Sequence, residues 1–230
     1  MKVVTQDRLK IDNAAQSESS PLSGLACTTI KVAHSIEEMM QSFAVRAAVF
    51  LNKQDCSYAE EFDGNDFAAT HILGLRGAEP IATARIRYFA GFARLERVAV
   101  RREFRGGVAA AGIIEFVLEL CRQKGYHKIQ GNAEIRLLRF WERYGWRRTN
   151  APSFVYAGHR YVEIECDLEP HPDPIAIGKN PVLFMRPEGV WDEPGPAEHT
   201  IPGPGLELAG DGRDDDDWAT ELRGRMERFG

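Results

Sequence analysis

The chain has 230 residues, of which 43% are hydrophobic and 27% charged, a composition typical of a globular protein. Its net charge of −5 argues against a nucleic-acid partner and against an anionic membrane surface, because both require a basic excess. No apolar run is long enough to cross a bilayer, and residues 1–10 lack the apolar core of a signal peptide, so we expect a cytoplasmic protein.

The cysteines are scattered, with no CxxC pair and no histidine at ligand spacing, at Cys27, Cys56, Cys121 and Cys166. This spacing excludes a zinc ribbon and a thioredoxin-like motif. Cys121 and Cys166 fall in apolar segments and are expected to be buried, unreactive thiols. We predict no metal site.

Composition divides the chain into three parts. Residues 1–28 are polar and are expected to form a mobile arm. Residues 29–168 carry the regular periodicities of one folded domain. Residues 169–230 form a Pro-, Gly- and acid-rich extension.

The first half of the domain reads as a strand, a helix, a long loop and three strands. Residues 28–33 predict the first strand, and Ser35 with Glu38 predicts a capping box at the head of the helix. Residues 52–68 have no period and many turn formers, which indicates a loop. Three apolar or alternating runs then predict consecutive antiparallel strands, at 70–75, 81–88 and 94–100.

The second half alternates helices and strands. Two glycines lead directly into an apolar helix that ends near Lys124, before Gly125. The remaining predicted elements are a strand at 127–131, a helix at 134–144 and a hairpin of 153–157 with 161–168. This order predicts an α/β (α+β) fold with a mixed, mostly antiparallel central sheet flanked by helices.

The extension cannot form long regular elements, because nine of the twelve prolines lie within residues 170–230. An apolar run at 181–185 and an acid-capped amphipathic helix at 214–229 would still give it two docking points. The arm would dock on its own domain or on a second subunit in a homodimer, and the sequence does not choose between them.

The stretch Arg105-Gly-Gly-Val-Ala-Ala110 follows a strand and opens a helix with almost no side chains in its first turn. Such a turn leaves backbone N–H groups bare, which suits an anion. The stretch resembles the acyl-CoA site of the GCN5-related N-acetyltransferase (GNAT) superfamily, with Val108 standing where a glycine is usual. The alternatives are a tight glycine turn for packing and, less favoured by the acidic charge, an RNA-binding segment.

Two further stretches strengthen the resemblance. Phe140-Trp-Glu-Arg-Tyr-Gly-Trp146 is similar to the C-terminal helix signature of the superfamily. Upstream, the chain resembles the ElaA-like branch at 45–50, Gln54, 61–63, Asp66 and His71. It departs from that branch at Lys53, where an acid is usual.

The resemblance implies transfer of an acyl group, most simply acetyl from acetyl-CoA, to a small-molecule amine by direct attack in a ternary complex. It also implies that the fourth strand splays from its neighbour to admit pantetheine, and that the Val98 N–H stabilises the oxyanion. The cofactor contacts expected from it are Val98, Val100, Arg105, Gly106, Gly107, Val108, Ala109, Ala110, Asn132 and Trp141. For Asn132, capping of the next helix is an equal alternative.

Glu96 is the candidate general base. Strict alternation would put Arg94, Glu96, Val98 and Val100 on one face of the strand. A partly buried carboxylate there would have a raised pKa, as a base working near neutral pH requires. The alternative is an ion pair of Glu96 with Arg94 or with an arginine of the adjacent strand, Arg85 or Arg87.

The candidate general acid is Tyr144. In many relatives the second aromatic of the helix signature is a tyrosine that protonates the leaving thiolate, but here it is Trp141, whose indole is no usable acid. Tyr144 or water would then supply the proton, and packing is the favoured alternative for Tyr144.

The acceptor is expected over the long loop. Glu61, Asp63 and Asp66 could receive a cationic amine, and Arg46 could hold a carboxylate, unless the loop acids are simply solvated. Two other functions fit the same motifs: an acyl-CoA sensing module without turnover, indicated by Val108 and Trp141, and an autoinducer-synthase-like enzyme that uses an acyl carrier protein.

Overall fold

A computed structural model describes residues 28–51 and 56–199 of the chain. The arm expected before residue 28 and the helix expected at 214–229 lie outside the described residues, as do Cys27, Lys53 and Gln54. Within the described ranges, none of the helices has the length and apolarity to cross a bilayer.

The domain is a mixed sheet in the order β1-β2-β3-β4-β5-β8-β6, with β7 paired to β8. Its strands are β1 (Thr28–Val32), β2 (Thr70–Arg76), β3 (Glu79–Phe89), β4 (Phe92–Val100), β5 (Lys128–Glu134), β6 (Arg147–Arg148), β7 (Phe154–Tyr156) and β8 (His159–Asp167). The helices are α1 (Ile36–Arg46), α2 (Tyr58–Glu61), α3 (Ala109–Gln123) and α4 (Leu138–Glu142). All neighbours pair antiparallel except β4 and β5, so the predicted fold class is confirmed.

Helices cover both faces of the sheet centre. α3 buries Ile113, Val117 and Leu120 in the main core, whereas the smaller cluster of Val45, Val49 and Ala99 lies under the segment that includes α1. β3 is central, and its run from Ile81 to Ile86 is buried throughout. Within this run Thr83 and Arg85 alternate with Ala82, Ala84 and Ile86, so a polar face and an apolar face of the strand are both covered.

Three local predictions were incomplete. The loop predicted at 52–68 contains α2, whose capping box pairs Ser57 with Glu60. The helix predicted at 134–144 is a 3₁₀ turn, Ile135–Leu137, followed by α4. Helix α1 has its Ser35 cap, but the Glu38 carboxylate accepts from the His34 N–H and not from Ser35.

Residues 169–199 dock on their own domain. The Ile175 N–H donates to the Gln123 carbonyl at the end of α3, 2.7 Å, and Trp191 packs against the main core. Glu188 pairs with Lys124, 2.9 Å, and accepts from Thr70 and Tyr88. The predicted apolar run forms a 3₁₀ turn, Pro181–Met185, in which Val182 is buried.

Candidate active site

A cavity opens where the two parallel strands separate. β4 and β5 pair only between Ala93–Leu95 and Ile129–Gly131, and the two strands share no further pairs beyond these residues. The cavity has a volume of about 600 Å³, within the range of small-molecule sites. Its lining comes from β4, β5, β7 and β8, from the turn before α3, from α4 and from the segment that includes α2. The splayed strand expected from the resemblance is therefore present.

A bulge in β4 changes which side chains share a face. Arg97 has φ 53°, and the register against β3 shifts between Thr83 and Arg85, so β4 contains an extra residue there. Leu95 and Val98 consequently both pack against the main core, whereas Ala99 packs with Val45. The expectation that Glu96 and Val98 lie on one face was wrong, because strict alternation does not survive a bulge.

The turn before α3 presents bare backbone donors to the cavity. The N–H groups of residues 106–111 donate to no acceptor among the described residues, and Val108, at the N-cap, makes no side-chain cap. Gly106 has φ +81°, a conformation that only glycine adopts freely, and a Cβ at Gly107 would meet only the Phe104 carbonyl, 3.7 Å away. The small residues thus leave room for an anion beside the positive end of a helix dipole.

Most of the expected cofactor residues line this cavity. They are Val98, Val100, Arg105, Gly106, Gly107, Ala110, Asn132 and Trp141, whereas Val108 and Ala109 are not part of the lining. Val108, the residue that departs from the motif, therefore lies outside the cavity. Arg105 donates from Nε to the Val100 carbonyl, 3.0 Å, which fixes the turn against β4.

Asn132 caps no helix. It lies within β5, and the following 3₁₀ turn begins after Glu134, so the capping alternative was wrong. In the amide orientation that its neighbours select, its oxygen accepts from Arg94, 2.9 Å. Trp141 packs edge-on against Trp146, with 5.3 Å between the rings.

One side of the cavity is formed by part of a cluster of charged side chains, which we call the charge cluster. It comprises Arg46, Arg85, Arg87, Arg94 and Arg97 with Glu61, Asp63, Asp66 and Glu96. Arg46 is fully buried and donates to Glu61, 2.5 Å, and to Asp66, 2.6 Å. It has no exposed surface with which to hold a substrate carboxylate, so that prediction was wrong.

The loop acids Asp63 and Asp66 are paired with arginines. Hydrogen bonds from Arg85 hold the pKa of Asp63 well below its ordinary range. Burial would raise the pKa of Asp66, but Arg46 and Arg85 outweigh it, and the pKa is lowered. Neither aspartate lines the cavity. The structure gives no support to an acceptor contact from these two residues.

Glu96 lines the cavity as the centre of an ion-pair group. It accepts hydrogen bonds from Arg85, 2.7 Å, from Arg87, 2.8 Å, and from Arg94, 2.8 Å. Burial alone would raise its pKa, but these arginines outweigh burial and lower it. The expected raised pKa was wrong, and the ion-pair alternative describes this residue.

Glu61 has the property that was expected of Glu96. It lines the cavity and is 1% exposed. Burial raises its pKa, and Arg46 and Arg97 oppose this shift without cancelling it. A carboxylate with a raised pKa in a cavity is a candidate proton acceptor.

Tyr144 is not part of the cavity lining but packs against Phe140, with 5.3 Å between the rings, as its packing alternative predicts. The sequence reasoning missed Tyr156 and Tyr161, which do line the cavity. Burial raises the pKa of both, so both phenols stay protonated near neutral pH. The sequence could have indicated them, because the hairpin that carries both tyrosines follows β5, one of the two strands that separate to form the cavity.

Comparison with known proteins agrees with this geometry. The acetyltransferase (GNAT) domain family matches residues 37–168, more than half of the chain. The chain is 25% identical over 136 residues to the uncharacterized N-acetyltransferase YjcF of Bacillus subtilis, covering 59% of this chain and 97% of YjcF.

Solved structures share the fold. Escherichia coli ElaA superposes with a TM-score of 0.56 at 23% identity, covering 60% of this chain and 99% of ElaA. An acyl-CoA N-acyltransferase from Pseudomonas aeruginosa gives 0.55 at 20% identity, covering 60% and 97%. The matched family model places the chain in the acetyltransferase class of proteins. The chain belongs to the GNAT acetyltransferase family.

Proposed function

We propose that the protein transfers an acyl group, acetyl from acetyl-CoA, to the amine of a small molecule by direct attack within a ternary complex. The observation that carries this proposal is one continuous cavity that joins the bare N–H groups before α3 to the unpaired edge of β4. In one long ligand, the diphosphate would need the bare N–H groups and the thioester would need the unpaired strand edge.

The residues fit such a ligand at both ends. The amides of residues 106–110, with Arg105 beside them, would hold the diphosphate, and Asn132 with Trp141 would contact the pantetheine arm. Bound acetyl-CoA would supply the acyl group as an activated thioester. The unpaired β4 edge beyond Leu95, including the Val98 N–H, supports backbone stabilisation of the oxyanion without any side chain.

Glu61 takes the role of the base in this proposal. The amine nitrogen would add to the acyl carbon and pass its proton to the Glu61 carboxylate, and the oxyanion so formed would collapse with cleavage of the carbon–sulfur bond. The departing thiolate would take a proton from solvent, to which Glu61 would return its own. Glu96 acts as a positioning residue, because its arginine partners hold the strands around the cavity.

Isothermal titration of the full chain with acetyl-CoA tests the proposal. We expect micromolar binding, weakened about tenfold or more by Gly107→Asp, since a carboxylate would occupy the anion cradle. Ala78→Asp is the matched control, because Ala78 is exposed in the β2–β3 turn. Absence of binding, or equal weakening by both variants, would contradict the proposal.

A second candidate, coenzyme binding without turnover, is favoured by Trp141 at the cavity wall, where many relatives carry a tyrosine. Release of the coenzyme A thiol, measured with a panel of amines, separates the two functions. A sensing module would bind acetyl-CoA and release no thiol.

A further inference from the structure

A second set of cavity residues is aromatic. Phe154 stacks on Tyr161, with 5.7 Å between the rings and 17° between their planes, and Tyr156 meets Tyr161 edge-on, 6.2 Å. All three side chains lie on β7 and β8, on the far side of β5 from β4, and all three line the cavity. This group, which we call the aromatic wall, is separate in the fold from the turn before α3.

The aromatic wall is joined to the segment that carries the proposed base. The Cys56 Sγ lies 3.2 Å from the Tyr156 hydroxyl, and Cys56 also lines the cavity. Two residues later the chain enters α2, which ends at Glu61. A ligand lying on the wall would therefore have Glu61 close by along the same segment.

The charges of the cavity are compensated. Of the carboxylates among the described lining residues, Glu61 pairs with Arg46 and Arg97, Glu96 pairs with Arg94, and Glu134 pairs with Arg136. A second cationic group on an acceptor would therefore find no unpaired carboxylate in this lining. The cavity suits an acceptor with one amine and an otherwise uncharged body.

We propose that the acceptor is a monoamine that carries an aromatic ring, with the ring packed on the aromatic wall and the amine directed to Glu61. This inference rests on the proposed acyl transfer. Aromatic rings prefer stacked or edge-on neighbours at the distances already found within the wall, so the ring of the acceptor would add a fourth ring to an existing arrangement.

The test compares three amines in turnover of acetyl-CoA by the full-length protein. 2-Phenylethylamine and 2-cyclohexylethylamine have the same length and a similar amine, and 1,5-diaminopentane adds a second cation. We expect kcat/KM for the phenyl amine to exceed that for the cyclohexyl amine by about fivefold, because only the phenyl ring stacks. The diamine should be the poorest of the three.

A substitution in the wall tests the assignment directly. Phe154→Leu should raise KM for 2-phenylethylamine about fivefold and KM for 2-cyclohexylethylamine by less, because leucine keeps an apolar contact but cannot stack. Phe154 is 43% exposed, so the variant should fold. Phe184→Leu is the matched control, because Phe184 is a half-exposed phenylalanine of the docked extension, outside the cavity.

The outcomes separate this inference from the proposed function. The aromatic acceptor is overturned if the protein binds acetyl-CoA but uses the two ring amines equally, prefers the diamine, or does not turn over the phenyl amine. Failure to bind acetyl-CoA overturns the acyl transfer itself and the inference with it.

Discussion

Arg46 and Glu61 form a fully shielded ion pair, with 2.5 Å between Nε and Oε1 and side-chain exposures of 0% and 2%. Arg46 ends α1, and Glu61 ends α2, so the pair fixes the loop segment against the first helix. Because Glu61 also lines the cavity, this pair links the packing of the domain to the proposed chemistry.

Arg46→Met should destabilise the fold by about 3–5 kcal/mol, because it leaves Glu61 and Asp66 buried without this partner. The free energy of unfolding in urea measures the effect. Arg139→Met, at an exposed position of α4, should change it by less than about 0.5 kcal/mol. Adding Glu61→Gln to Arg46→Met should recover part of the lost free energy of unfolding. If Arg46→Met alone lowers that free energy by less than about 1 kcal/mol, the pair is not buried in solution.

Glu61 should set the acid limb of activity. Burial raises its pKa above the ordinary value of 4.5, and only the ionised carboxylate accepts a proton, so kcat/KM should fall as the pH decreases through that raised pKa. Glu61→Gln should lower kcat by about 10² and remove the acid limb. A pH profile of kcat/KM from 4 to 9 checks this, with acetyl-CoA affinity as the control for folding. An unchanged profile would exclude Glu61 as the base.

Glu96 should affect the stability of the fold at low pH. Its folded pKa lies below 4.5, so its ion pairs stabilise the fold above that pH, and the contribution is lost as the pH falls toward the folded pKa. Glu96→Gln should therefore cost about 3 kcal/mol at pH 7 and progressively less below pH 4.5.

Urea unfolding at pH 7, 5, 4 and 3 measures this dependence, with Glu142→Gln, at an exposed position of α4, as the control. A cost that stays constant with pH would mean that Glu96 contributes by packing and not by charge.

The sequence predicted the features that depend on local chemistry. The bare turn at Gly106 and Gly107 and the long helix after it follow from residue size, backbone freedom and apolar spacing. Periodicity likewise located the central strands. These signals lie within a few residues of the structure that they determine.

The sequence predicted the ion pairs of Glu96 as an alternative, but the rest of the charge cluster was missed because it is assembled from distant segments. Arg46 meets Glu61 and Asp66, and Arg85 meets Asp66, only when α1, β3 and the segment that includes α2 pack together. The residue types at 52–68 favour a solvated loop, and nothing local indicates that arginines from three other elements neutralise its acids. The bulge at Arg97 was missed for the same reason, since only the register against β3 reveals it.

Gly189 anchors the extension to the domain. It has φ +75°, and a Cβ there would lie 2.8 Å from Val32 Cγ2 and 3.5 Å from Leu120. Gly189→Ala should therefore detach residues around Glu188 and Trp191 from the domain and lower the free energy of unfolding by about 2 kcal/mol.

Gly178→Ala is the matched control, because its φ is +91° but a Cβ would meet nothing within 4 Å. Both variants carry the backbone strain of a left-handed alanine, and only Gly189→Ala adds the clash. Limited proteolysis should cut within residues 170–199 faster in Gly189→Ala than in Gly178→Ala. Acetyl-CoA affinity should be equal in the two variants, because none of residues 169–199 lines the cavity. Equal proteolysis would show that the extension is not held at Gly189.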